Sequence, residues 1–150
     1  MILSSLFHFC NLVVLPGWFL LIVAPRWRWT QRIASFILPL PLAALYFGLL
    51  LANWGPNLGF GSLDQVYAIF ESAPFVLIGW IHYLVFDLFV GCWEARDAAR
   101  LGISHLLVIP CLIATYLVGP IGLLGYLLLK LAMKRKLGLE ESVSNKTVQT

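Results

Sequence analysis

Of 150 residues, 61% are hydrophobic and 11% charged, with a mean hydropathy of +0.90, whereas a soluble domain carries about 25% charged residues. The apolar residues run in long blocks, so the composition excludes an ordinary soluble domain and points to a helical membrane protein whose partner is the lipid bilayer. A formal net charge of +3, with the basic residues clustered beside apolar segments, is too small to specify a nucleic-acid partner.

The first apolar segment covers about residues 2–24 and stops at Ala24-Pro25-Arg26-Trp27-Arg28-Trp29. It has no basic n-region and no small-x-small site behind it, so it reads as a retained first span. The second covers about 33–53, with Pro39 and Pro41 near its start. A turn-rich connector follows, Trp54-Gly-Pro-Asn57 with Gly59, Gly61 and Ser62. It leads into Leu63–Phe70, where Leu63, Val66, Tyr67 and Phe70 share one helical face. That spacing predicts a short amphipathic helix on the membrane surface or over a cavity. The third span covers about 74–92, entered at Pro74, and the fourth about 104–133, interrupted by Pro110 and Gly119-Pro120. A span needs ~20 residues, so the first three fit, while the fourth must tilt, kink at Pro110 or break near Gly119-Pro120.

The expected fold is therefore all-α: a polytopic bundle of about four membrane-spanning helices in one domain, residues 1–136, with a polar, disordered tail at 137–150. Six Trp and five Tyr suit aromatic belts at the two interfaces. Cys10, Cys92 and Cys111 are odd in number and far apart, and read as buried free thiols. Four spans divide the basic residues evenly. Arg26, Arg28, Arg32, Arg96 and Arg100 fall on one side, and Lys130, Lys134, Arg135, Lys136 and Lys146 on the other. A fifth crossing would gather them on one side, but 104–133 is too short for two full spans unless one is short or re-entrant.

Function concentrates in residues 80–105. His82, Asp87, Glu94, Arg96, Asp97 and His105 lie there, in and beside an apolar run, and ionisable groups in lipid cost roughly 2.5–3.5 kcal/mol each on insertion scales. Asp87 and Glu94 are two helical turns apart on one face, with Glu94 to Asp97 as the exposed rim and Asp87 ~7 Å deeper. His105, at the start of the fourth segment, is the expected partner of Asp87. His82 matches His8 and Asn11 in depth, with Trp80, Tyr83, Arg96 and Asn11 placed to bind a substrate.

Three chemistries fit these residues. Asp87 with His105, His82 or Glu94 forms an acid/base group for a low-dielectric cleft. His82, Asp87, Glu94 and His105 have no metal-ligand spacing such as E-x-x-H, so no metal is assigned. His8 and His82 at similar depth are the residues a haem would use, and no cofactor is otherwise indicated. The bland alternative is an interhelical polar clasp of Asp87, His105 and the arginines that fixes packing in a lipid-, pigment- or haem-binding protein.

Trp80-Ile-His-Tyr-Leu-Val-Phe-Asp-Leu-Phe89, Trp93-Glu-Ala-Arg-Asp97 and His105-Leu-Leu-Val-Ile-Pro-Cys111 resemble the abscisic-acid-deficient, neoxanthin-synthase-like membrane proteins. Leu15-Pro16, Val23-Ala-Pro25 and Gly119-Pro-Ile-Gly-Leu123 extend the resemblance over nearly all of the apolar sequence. It implies an integral membrane protein of xanthophyll metabolism, acting on a carotenoid-like molecule. The plant members are associated with conversion of violaxanthin to neoxanthin, an isomerisation that opens a 5,6-epoxide to an allenic alcohol. That reaction delivers one proton to the epoxide oxygen, removes one from C7 and involves no net redox change. Asp87 with His105 or His82 would then be acid and base. With no evident plastid transit peptide, the expected location is a bacterial inner membrane.

Overall fold

A computed structural model describes residues 1–55 and 58–134, with no strand among them, and the tail expected at 137–150 lies outside these residues. Three helices are long and apolar enough to cross a membrane: α1 (Ile2–Val23), α2 (Thr30–Ala52) and α4 (Ala73–Leu101). Between the last two stands α3 (Leu63–Phe70), and α4 is followed by α5 (His105–Val118) and α6 (Pro120–Lys134).

Each boundary has a local cause. In α2, Pro39 and Pro41 remove two N–H donors and would press their rings on the carbonyls of Ser35 and Ile37. The helix answers with a π turn over Ile33–Ile37, in which the Leu38 N–H donates to the Ile33 carbonyl at 3.0 Å. The start of α3 is capped by Ser62, whose Oγ accepts from the Gln65 N–H, while Gln65 Oε1 accepts from the Gly61 N–H. Leu63 and Tyr67 on the expected apolar face are exposed, and Ile69 is the buried residue. Behind α3 and the preceding connection lies a small cavity of ≈ 230 Å³ lined by Asn53, Leu58, Ile69 and Phe75 among others.

The helix α4 organises the rest. Leu77, Ile81, Leu84, Leu88, Cys92, Ala95 and Ala98 follow each other at three- and four-residue steps and form its buried stripe, against Cys10, Val14, Trp18 and Leu21 of α1 and Leu42 of α2. It outlasts both the apolar run, which ends near Cys92, and the rim expected at Glu94 to Asp97. It continues to Leu101, where Gly102 at φ 67 turns the chain and the N–H groups of Gly102 and Ile103 close back on the carbonyls of Ala99 and Ala98. At 1.5 Å per residue α4 is roughly 43 Å long, and Asp87 sits at its midpoint.

The expected single fourth span is instead two helices packed as an antiparallel hairpin. Pro110 lies inside α5 without ending it; the break falls at Gly119, at φ 47, followed by Pro120, which has no N–H to continue α5. A Cβ on Gly122 would run into the Thr115 backbone nitrogen, so the two arms approach closely at the turn. With 14 and 15 residues, each arm is ~21–22 Å long, about half of α4. The turn abuts Asp87, and Lys130 pairs with Asp97, so the hairpin covers only the half of α4 between Asp87 and Leu101.

Candidate functional site

On α4, Val76, Trp80, Tyr83, Asp87, Glu94 and Asp97 recur at spacings that keep them on one side of the helix. The hairpin divides this stripe in two. Glu94 and Asp97 lie beneath it, whereas Val76, Trp80 and Tyr83 lie beyond its turn, beside α1.

Beneath the hairpin Glu94, Asp97 and Lys130 are enclosed, with Arg100 at the exposed edge. Asp97 is 4% exposed and Lys130 3%. The Asp97 carboxylate accepts from Lys130 Nζ at 2.9 Å, from the Tyr126 hydroxyl at 2.7 Å and from Arg100 at 2.8 Å. Trp93 adds an edge-to-face contact with Tyr126 and lies 5.6 Å from Lys130 Nζ. A carboxylate with three donors tolerates burial; stripped of its cation it would not. One turn earlier, Glu94 is fully buried. Thr115 Oγ1 donates to its Oε1 at 2.9 Å, and its Oε2 has no partner.

Asp87 is different. It is half-buried, and the hairpin turn closes over it: a Cβ on Gly119 would lie 2.9 Å from Asp87 Oδ1 and 3.0 Å from Oδ2, so the close approach, with φ at 47, favours glycine there. Tyr83, one turn away, is close enough to interact with the carboxyl, but its hydroxyl donates to the Tyr116 carbonyl at 3.0 Å. Asp87 Oδ2 is shielded and has no hydrogen-bond partner. Toward the other end of the stripe run aromatic rings, Tyr83 on Trp80 and Trp80 on Phe7, each pair at 5.3 Å. Trp80 Nε1–H donates to Asn11 Oδ1 at 3.2 Å, and Asn11 Nδ2–H donates to the Phe7 carbonyl at 2.7 Å. A groove of ≈ 350 Å³ between α1 and α4, lined by Leu3, Ser4, Phe7, His8, Val76 and Leu77 with Ala73, continues this track to the Ala73 end.

A protein-family model described as ABA DEFICIENT 4-like matches residues 5–126. The chain belongs to the ABA DEFICIENT 4-like family. The family match takes in the aromatic track, Asp87, Glu94, Asp97 and the hairpin turn, and ends at Tyr126. No curated protein and no solved structure matches the chain.

Within this family member, several expected partnerships are not formed. His105 does not meet Asp87: its Nε2–H donates to the Ile22 carbonyl at 2.9 Å and ties α5 to the end of α1. The cause is the length of α4. Because the helix runs on to Leu101, Asp87 stands 14 residues from its end, ~21 Å away, beside the far end of α5 rather than its start. For the same reason Glu94 and Asp97 are not an exposed rim; the extended helix gives the hairpin a surface to bury them. His8 and His82 are not brought together either. His8 lines the α1–α4 groove, while His82 turns to the other side of α4, stacked on Phe86 at 4.4 Å and 6.1 Å from Tyr46 of α2. Arg96 is exposed on the side of α4 away from the stripe. Trp80, Tyr83 and Asn11 do fall together, on the track leading to Asp87. No group of three or more His, Cys, Asp or Glu suited to a metal ion occurs among the described residues. Thr115, Gly119, Tyr126 and Lys130 are the site residues that sequence reasoning missed. The available signal was Lys130, a lone cation inside Leu127-Leu-Leu-Lys-Leu131, which requires a buried anion.

Proposed function

We propose that this chain is a multi-pass membrane isomerase of xanthophyll metabolism, which opens a 5,6-epoxide end group to an allenic alcohol with Asp87 as its acid and base. Family membership supports the substrate class. The observation that carries the role of Asp87 is its unpartnered Oδ2 at the closed end of an otherwise apolar and aromatic track. The reaction moves one proton onto the epoxide oxygen and takes one from C7. A single carboxyl serves both ends: its O–H donates to the epoxide oxygen as the C6–O bond breaks and the oxygen stays on C5 as the alcohol, while its second oxygen accepts the C7 proton as that C–H electron pair forms the C6=C7 bond of the allene. The carboxyl finishes as it began, and no oxidant or reductant is consumed.

The test is turnover of violaxanthin in vesicles carrying the full chain, read by chromatography of the extracted pigment. Asp87→Asn should lower the rate by roughly 10²–10⁴-fold, the usual worth of a positioned acid/base group, with the protein still folded and pigment still bound. A rate within a few-fold of wild type would remove Asp87 from the chemistry. The second reading, a non-enzymatic pigment-binding protein, is favoured by one observation: the Asp97, Lys130, Tyr126 and Arg100 cluster is satisfied within the chain, as a packing clasp would be. Wild-type protein that holds violaxanthin unchanged would establish it.

A further inference from the structure

We infer that Arg28, Trp29 and Arg32, at the turn from α1 into α2, form a binding site for the phosphate headgroup of an anionic membrane lipid. The site lies at the end of the helices, apart from Asp87, and does not depend on the chemistry proposed there.

The positive charge here is held in place and unanswered. The Arg28 guanidinium lies 5.2 Å from the centre of the Trp29 ring and that of Arg32 5.0 Å, so one indole positions two cations. Brought to one ring, the two like charges repel each other, and an anion shared between them would remove that repulsion. The chain supplies none. Among the described residues the ion pairs are those of Asp97 with Arg100 and Lys130, and neither involves Arg26, Arg28, Arg32 or Arg96. Asp64 lies on α3 and Glu71 just after it, beyond the other end of α2. Arg96 adds to the same positive face, because the hydrogen bond from His105 to the Ile22 carbonyl sets the Leu101 end of α4 beside the end of α1.

The surface beside the arginines makes the anion a lipid. Phe19 and Val23 on α1 and Phe36 and Leu40 on α2 are exposed, so apolar side chains begin within one turn of the arginines on both helices, where acyl chains run. Trp27 and Trp29, both exposed, stand between the charged and the apolar levels, as interfacial indoles do. A lipid phosphate therefore meets the two guanidinium groups while its chains lie on the exposed apolar faces, whereas a free phosphate would use the guanidinium groups alone. The planar guanidinium fork matches phosphate oxygens two at a time. A lipid held there would fix the turn between α1 and α2 at headgroup depth.

The test is binding of tail-labelled phosphatidylglycerol to the full chain in detergent, read by fluorescence anisotropy on the monodisperse, folded fraction. Unlabelled phosphatidylglycerol should compete about ten-fold better than either phosphatidylcholine or inorganic phosphate. Arg28→Gln with Arg32→Gln should weaken binding about ten-fold. Trp29→Leu changes no charge but frees both guanidinium groups, and should weaken binding several-fold. Arg26→Gln with Arg96→Gln removes the same charge from the same face and should stay within about three-fold of wild type. Equal losses in the two double variants, or no loss in Trp29→Leu, would mean that the basic face attracts lipid as a whole, and would overturn the site. Competition by phosphatidylcholine equal to that of phosphatidylglycerol would overturn its selectivity for an anion, and equal competition by inorganic phosphate would overturn the lipid as its ligand.

Discussion

The carboxylates of α4 look alike in sequence and differ in what surrounds them. Asp97 is held by a lysine, an arginine and a tyrosine; Glu94, fully buried and held by one threonine, keeps one oxygen unpartnered, and half-buried Asp87 keeps one under the hairpin turn. Satisfied charges hold helices together, and an unsatisfied one is available to a ligand. Asp97→Ala would leave Lys130 buried without its anion, so a loss of roughly 3–5 kcal/mol is expected, read as a lower unfolding midpoint in detergent. Asp97→Ala combined with Lys130→Met should recover much of that loss; an Asp97→Ala protein as stable as wild type would deny the clasp. His105 makes the opposite case. Its one hydrogen bond goes to the Ile22 carbonyl, which a glutamine N–H can replace, so His105→Gln should keep violaxanthin turnover within a few-fold of wild type. A loss matching that of Asp87→Asn would restore His105 to the chemistry. That Asp87 would be sheltered within the protein was legible in the sequence, because an isolated aspartate between Phe86 and Leu88 is costly in lipid. Its surroundings were not. They depend on where α4 ends, and the Arg-rich stretch after Cys92 hid four further helical residues beyond Asp97.

At the scale of elements, the long segments follow from the sequence and the break within the fourth follows from three residues. The first two spans and the helix Leu63–Phe70 fall where the apolar runs and Ser62–Gln65 place them. For residues 104–133, tilting, kinking and breaking all satisfied the hydrophobic pattern, and only the fold shows that Gly119-Pro120 breaks while Pro110 does not. The hairpin depends most on Gly122, where any side chain meets the Thr115 backbone. Gly122→Ala should therefore separate the arms, expose Glu94 and Asp97, and sharply reduce folded yield in detergent. Gly125→Ala, whose added carbon would make only an ordinary 3.8 Å contact with Cys111, should be tolerated. Equal yields from the two variants would show that the arms do not pack as described.

For the whole molecule, the hairpin offers another reading of the charge that four spans divide evenly. A chain that crossed three times and turned back at the hairpin would put Arg26, Arg28, Arg32, Arg96 and Arg100 on one face, as the positive-inside rule favours, with Lys130 inside the protein as the partner of Asp97. The hairpin turn also stands against Asp87, so the re-entrant topology and the proposed chemistry stand on one feature. The direct test is thiol labelling of intact cells with a membrane-impermeant reagent, in a chain with Cys10, Cys92 and Cys111 replaced by alanine. Single cysteines would be placed at Arg28, Ser62 and Met133, all exposed. Arg28→Cys and Met133→Cys should be protected together and Ser62→Cys labelled. Labelling of Met133→Cys along with Ser62→Cys would mean that the fourth segment crosses completely, and would contradict the re-entrant hairpin on which the site depends.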